Sequence, residues 1–192
     1  TGSFQEFSHW NILLVTHDDG FRRQRYECSS DFSTICHEFL DKGETIWCRR
    51  RIMTGMGNDT IGIALVDNDI WSARMLSQWI EQASVDFRMR WCTHSSADAL
   101  HRCLFGRNAP DVLIVDMALN DISGDVVCKR IRRRNCDIGL LCITAYPTER
   151  YVRDAIEAGA QGLLSKECLV KELPAAIVRA ARGLPMDDRF LD

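Results

Sequence analysis

Apolar positions in residues 60–183 follow two rhythms that alternate along the chain. Short runs with few polar interruptions fall at 61–66, 87–92, 112–115, 139–143 and 162–164. Runs of this length rich in Val, Ile and Leu suit strands buried on both faces, as in a parallel sheet. The run at 87–92 alternates Phe, Met and Trp with arginines, which suits a strand nearer the sheet edge. Between the runs, apolar residues recur every three or four positions, the mark of a helix with one buried stripe. The spacing predicts a helix over 70–82 with Met75, Leu76, Trp79, Ile80 and Ala83 as its stripe. A second helix runs through Ala97, Leu100 and Leu104, capped by Ser95 or Ser96. A third turns Val126, Val127, Cys128 and Ile131 inward, and a fourth spans 149–158 and stops at Gly159. The last spans 169–182, buries Leu173, Ala176, Ile177 and Ala180, and carries Pro174 in its first turn. Five strands alternating with five helices imply an α/β fold, a doubly wound five-stranded parallel sheet.

Residues 1–57 do not share this regularity. Residues 10–15 form a strand candidate, residues 32–40 a short helix candidate, and Arg49, Arg50 and Arg51 a basic run that suits a solvated surface. The expected organisation is an irregular N-terminal extension at 1–57, one domain at 58–184, and a tail or the start of a linker at 185–192. Met53 and Met56 closely precede the regular region, so whether the extension is native and folded stays open.

Composition narrows the class. Of 192 residues, 46% are hydrophobic and 27% charged, which fits a globular chain with a sizeable core. A net charge of -3 supplies no global basic field for nucleic acid. No apolar run reaches membrane-spanning length, and the expected location is cytoplasmic. Nine scattered cysteines without a CxxC pair suit reduced thiols, with Cys103, Cys128, Cys142 and Cys168 expected in the core. Cys28, Cys36 and His37 fit no common zinc spacing. Arg130, Arg132, Arg133 and Arg134 at the end of the third helix read as a solvated cap that complements the helix dipole.

Candidate chemistry collects at the strand ends. Asp67 and Asn68 follow the first strand, Asp116 ends the third, Thr144 the fourth, and Lys166 follows the fifth. In an open parallel sheet these ends share one edge, where ligands bind. Taken alone, Asp116 could merely cap the next helix. Together the residues suit a phosphoryl group. A carboxylate can attack phosphorus, a hard divalent cation and a lysine can offset charge on the oxygens, and a hydroxyl can donate a hydrogen bond.

Leu65, Val66, Asp67 and Asn68, then Val115 and Asp116 with Gly124 eight residues later, then Thr144 and Ala145, then Gly159 to Lys166, resemble the receiver domain of two-component response regulators. The resemblance covers residues 61–183, about two thirds of the chain, and implies the flavodoxin-like (βα)5 receiver fold. It implies that Asp116 takes phosphate from a phosphohistidine on a sensor histidine kinase. Asp67, Asn68, Asp116 and the backbone carbonyl of Ala118 would form a Mg2+ site, while Thr144 and Lys166 would meet the phosphoryl oxygens. A homodimer through the face formed by 149–182 is implied as well. Ser165, Lys166 and Glu167, continuing to residues 172–177, are similar to the subfamily with a LuxR-type helix-turn-helix output, which mostly regulates transcription. Nine residues follow Gly183, too few for a module of roughly 60 residues. The output is therefore expected outside this chain, with no direct nucleic-acid contact from these residues.

Three positions depart from the family pattern. Asn68 replaces a second acidic residue, which predicts weaker Mg2+ binding. Asn120 replaces a frequent proline. Leu163 stands where many relatives carry a switch Tyr or Phe, so the switch is expected to be read through backbone and helix shifts. Two other functions remain open on these residues. One is a phosphorylation-independent binding module. The other is a haloacid-dehalogenase-type phosphatase using Asp67, against which Trp71 and the unassigned Asp116 count. The two phosphoryl readings part on which aspartate is labelled.

Overall fold

The computed structural model describes the strands β1 (Trp10–Val15), β2 (Arg22–Tyr26) and β3 (Thr45–Cys48) and residues 60–190. The chain divides into two compact units, Thr1–Arg50 and Arg51–Asp192. In the first, β1 pairs antiparallel with both β2 and β3 in the order β2-β1-β3. The sequence predicts only β1, because the polar run Arg22 to Tyr26 carries no apolar alternation. The helix candidate at 32–40 and the zinc candidates Cys28, Cys36 and His37 lie outside the described residues.

The second unit contains β4 (Ile61–Val66), α1 (Ile70–Ala83), β5 (Phe87–Thr93), α2 (Ser96–Phe105), β6 (Val112–Asp116), α3 (Gly124–Arg132), β7 (Gly139–Thr144), α4 (Val152–Glu157), β8 (Gly162–Ser165) and α5 (Leu169–Ala181). Its five strands are parallel in the order β5-β4-β6-β7-β8, the expected doubly wound sheet. β4, β6 and β7 are buried at every position, as their unbroken apolar runs predict. Each sheet face has its own core. Val66, Val115, Cys142 and Leu163 pack with residues of α2, α3 and α4. Ile63, Leu65, Ile114, Ile143 and Leu164 pack with α1 and α5. Each such Val, Leu or Ile contributes about 1.5–3 kcal/mol by leaving water.

Several stripes fall differently from the pattern. In α1 the buried residues are Ala73, Leu76 and Ile80, whereas Met75 and Ala83 are exposed. In α2 the buried face is Ser96, Ala99 and Cys103, one position away from Ala97 and Leu104, because Ser96 turns inward to bond the β6–α3 loop. Ser95 takes the cap, its hydroxyl accepting from Asp98 N at 3.4 Å. The helix expected from 149 begins later. A 3-10 turn at Thr148–Arg150 comes first, and α4 starts at Val152. Gly159 ends it at φ +74°, with Ala160 N–H bonding Ala155 O at 3.0 Å. Pro174 lies in the second turn of α5, not the first.

Two residues change role. Arg132 is no solvated cap. It donates to the carbonyls of Gly159 at 3.1 Å, Cys136 at 3.2 Å and Ile138 at 3.0 Å, tying the end of α3 to the entries of β7 and β8. Cys103, Cys128 and Cys142 are buried as expected, but Cys168 is exposed, because it precedes α5 instead of sharing its stripe.

Candidate functional site

The parallel register of β4, β6, β7 and β8 aligns their carboxyl ends. Val66 pairs Val115, Asp116 pairs Ile143, and Thr144 pairs Ser165. Asp67 is 0% exposed and Asp116 is 5% exposed. Two buried carboxylates this close would repel each other without a cation. Lys166 supplies one. Its Nζ lies 2.7 Å from Asp67 Oδ2 and 3.0 Å from Asp116 Oδ2, bridging residues 99 and 50 positions away. Burial pulls the Lys166 pKa down, but the hydrogen bonds and charges of Asp67 and Asp116 together outweigh it and hold the ammonium above its ordinary value. Two carboxylates and one ammonium leave a net charge of -1.

The other donors come from short-range structure. Asp67 Oδ1 accepts from Asp69 N at 2.9 Å, and Asp67 Oδ2 also accepts from Ser72 Oγ at 2.9 Å. Asp69 caps α1, its Oδ1 accepting from Trp71 N and Ser72 N, and so presents the first turn to Asp67. Asp116 Oδ1 accepts from Ala118 N at 3.2 Å. The four oxygens therefore receive three hydrogen bonds on Asp67 and two on Asp116. Each carboxylate oxygen can accept about two, so roughly three acceptor positions remain. Surplus acceptor capacity on buried anionic oxygens suits a hard cation that takes one or two carboxylates and keeps several waters. Among the described residues no three His, Cys, Asp or Glu side chains gather as a metal centre.

The loop after Asp116 is held closely. Met117 N–H bonds Ile143 O at 2.9 Å, and Gly124 N–H bonds Met117 O at 3.2 Å. A Cβ on Gly124 would lie 2.4 Å from the Asp116 carbonyl oxygen, so only glycine permits this approach. Thr144 is fully buried. Its Oγ1 accepts from Tyr146 N at 3.0 Å, which leaves its own proton to donate. Lys166 N–H bonds the Thr144 carbonyl at 2.7 Å.

A family model described as the response regulator receiver domain matches residues 63–178. This chain belongs to that family. Over 128 residues it is 32% identical to an uncharacterized transcriptional regulatory protein, YxjL, of Bacillus subtilis, covering 67% of this chain and 57% of the relative. Over 97 residues it is 36% identical to the DNA-binding transcriptional activator DevR/DosR of Mycobacterium tuberculosis, covering 50% and 43%. The chain thus spans about half the length of these curated relatives. Among solved structures, the receiver domain of a NarL response regulator from Mycobacterium tuberculosis superposes with TM-score 0.60 at 21% identity, covering 65% of this chain and 98% of the other. A LuxR-family regulator from Aurantimonas sp. SI85-9A1 gives TM-score 0.60 at 23% identity, covering 66% and 88%. At these identities the structural likeness carries the fold.

Receivers are regulatory phosphoacceptors, and phosphorylation on aspartate is the family's general mechanism. In this receiver Lys166 contacts both Asp67 and Asp116, while Ala118 and Thr144 join them through backbone hydrogen bonds. Asn68 is half-buried beside Asp67. Leu163, the expected switch position, lies on β8 beside Cys142 of β7. It is 3% exposed inside the core shared with α2, α3 and α4. Two participants escape the sequence pattern. Ser72 lies one helical turn past the strand end, where nothing but the fold aims it at Asp67. His94, directly after β5, places Nδ1 2.8 Å from the Asp67 carbonyl oxygen.

Proposed function

We propose that this receiver takes a phosphoryl group from a phosphohistidine of a sensor histidine kinase onto Asp116. An oxygen of Asp116 attacks phosphorus, the P–N bond breaks, and its electron pair stays on the imidazole, which takes up a proton. Thr144 donates its hydroxyl proton to a phosphoryl oxygen, and Lys166 exchanges its Asp116 contact for another. Asp67, Asn68, Asp116 and the backbone carbonyl of Ala118 hold Mg2+, which supplies positive charge against the phosphoryl oxygens when bound. Asn68 brings an oxygen without charge, so this site binds Mg2+ weakly for its kind.

The observation that carries the reading is the Lys166 bridge between two buried carboxylates with acceptor capacity to spare. Asp116 carries fewer hydrogen bonds than Asp67, which supports Asp116 as the attacking group over the phosphatase-like alternative.

The receiver works as a switch and not as a turnover enzyme. Phosphate biases a two-state equilibrium that is read on the face formed by 149–182, where a second copy docks. Residues 58–184 are the receiver, 185–192 a tail or linker start, and 1–57 an N-terminal extension. The protein acts in the cytoplasm and regulates transcription through a LuxR-type output. The relatives' printed roles as transcriptional regulators support this. Among the described residues no helix is long and apolar enough to cross a membrane.

Acetyl phosphate with Mg2+ tests the proposal by the mass of the intact chain. One phosphoryl group should add to the wild type and none to D116N. No addition to the wild type would overturn it in favour of a phosphorylation-independent binding module.

A further inference from the structure

Asp121 stands in the loop after Asp116, and the reading above gives it no task. Its carboxylate is aimed at the start of α2. Oδ2 accepts from Ser96 N at 3.0 Å, and Oδ1 accepts from Ser96 Oγ at 2.7 Å and from its neighbour Ile122 N at 2.9 Å. Ser96 is 0% exposed, and its Oγ also lies 2.9 Å from the Ile122 carbonyl oxygen. A single hydroxyl proton serves one acceptor at a time, so Ser96 holds the loop through either the carboxylate or the backbone. Ser96 N is one of the amides that an α-helix leaves unsatisfied at its start, where a carboxylate is favoured. Ser95 caps the same helix through Asp98 N, so the two serines divide the work.

The loop has two other fixed points. Gly124 N–H closes it onto Met117 O, with no room for a side chain against Asp116 O. Ala118 N–H bonds Asp116 Oδ1. The loop thus starts at the reacting carboxylate and is pinned on a different element, 25 residues earlier in the chain.

We infer that Asp121 is a positioning residue for phosphoryl transfer, holding the 117–123 loop on α2 so that Asp116 and the Ala118 amide keep their geometry. This rests on the reading of Asp116 as the acceptor. The Ser96 hydroxyl holds the Asp121 carboxyl below its ordinary range, so the clamp is charged at neutral pH. Asp121 is itself exposed, but its partner Ser96 is fully buried, and the loop that carries Asp121 begins at the acceptor.

The experiment compares wild type, D121A, D121N, S96A and D116N in acetyl phosphate with Mg2+, well below each variant's melting temperature. Phosphorylation rate and aspartyl-phosphate lifetime are both read. D121A loses every contact and should phosphorylate about tenfold more slowly, since small misplacement of reacting groups is costly in rate. An amide oxygen can still accept from Ser96 N, so D121N should recover much of the rate. S96A keeps the backbone amide and should fall between D121A and wild type. A lowered melting temperature with unchanged rate and lifetime in D121A would make Asp121 a structural residue only and overturn the inference. D116N separates this failure from that of the larger reading. If wild type and D116N incorporate phosphate alike, Asp116 is not the acceptor, and the role of Asp121 falls with it.

Discussion

Two polar clusters sit at opposite edges of the same parallel sheet, and they are built differently. At the carboxyl edge, Lys166 bridges Asp67 and Asp116. At the amino edge, Arg132 and Gln161 bind mostly backbone. Gln161 is 5% exposed, accepts from Leu140 N at 2.9 Å and donates to Ala180 O at 3.3 Å. Arg132 gathers the carbonyls of Gly159, Cys136 and Ile138. The amino-edge groups tie chain turns together by donating to backbone carbonyls and accepting from a backbone amide. The carboxyl-edge groups crowd like charges and leave oxygens with capacity to spare. Buried polarity alone therefore does not mark a functional site. What marks it is polarity left incompletely matched.

This contrast predicts opposite responses to removing one member of each cluster. D116N should abolish phosphate incorporation. It should also leave the stability unchanged or raise it by about 1 kcal/mol, because one of two mutually repelling carboxylates becomes neutral. Urea unfolding checks the sign. R132A should lose about 2–3 kcal/mol, the cost of removing the Arg132 donor from three carbonyls, while its phosphorylation rate at low temperature stays near wild type. Equal losses in D116N and R132A would break the comparison.

A subtler test uses pH. The Lys166 pKa is raised in the folded state, so its contribution is fully present below the ordinary value of 10.5 and is lost as pH rises through the higher folded value. The stability difference between wild type and K166M should hold through neutral and mildly alkaline pH and shrink above 10.5. A difference that shrinks instead between pH 7 and 9 would contradict the bridge.

The smallest effect concerns thiols. Burial pushes Cys103 up to about 12, and Cys142, hydrogen-bonded to Cys128 and buried, also lies well above its ordinary value. Cys92 and Cys168 are exposed. A thiol reagent should modify Cys168 in the folded protein and spare Cys103, Cys128 and Cys142 until urea unfolds it. Prompt reaction at Cys142 would show that the core around β7 is not closed.

Much of the receiver was legible in the sequence because its strands are buried on both faces. An unbroken apolar run such as 112–115 has few other uses, and a polar residue at its end has few other places to point. The strand ends Asp67, Asp116, Thr144 and Lys166 follow from that rule and from topology. Helix faces were less legible. Met75 fits the α1 period but falls outside the buried arc, and Ser96 displaces the expected α2 stripe because a hydrogen bond across the fold outweighs local amphipathicity. Arg132 and Asp121 gain part of their roles from Gly159 and Ser96, 27 and 25 residues away, and Ser72 is aimed at Asp67 by the turn into α1, none of which an apolar rhythm encodes. The strand Arg22–Tyr26 was hidden for the opposite reason, since pairing with β1 needs no apolar rhythm.

The most direct test of the central claim is to trap the acyl phosphate. After acetyl phosphate and Mg2+, borohydride reduces a phosphorylated aspartate to homoserine, and peptide mapping then locates it. The account predicts the reduced residue at Asp116 in the wild type. Reduction at Asp67 instead would contradict it and move the chemistry to the other end of the Lys166 bridge.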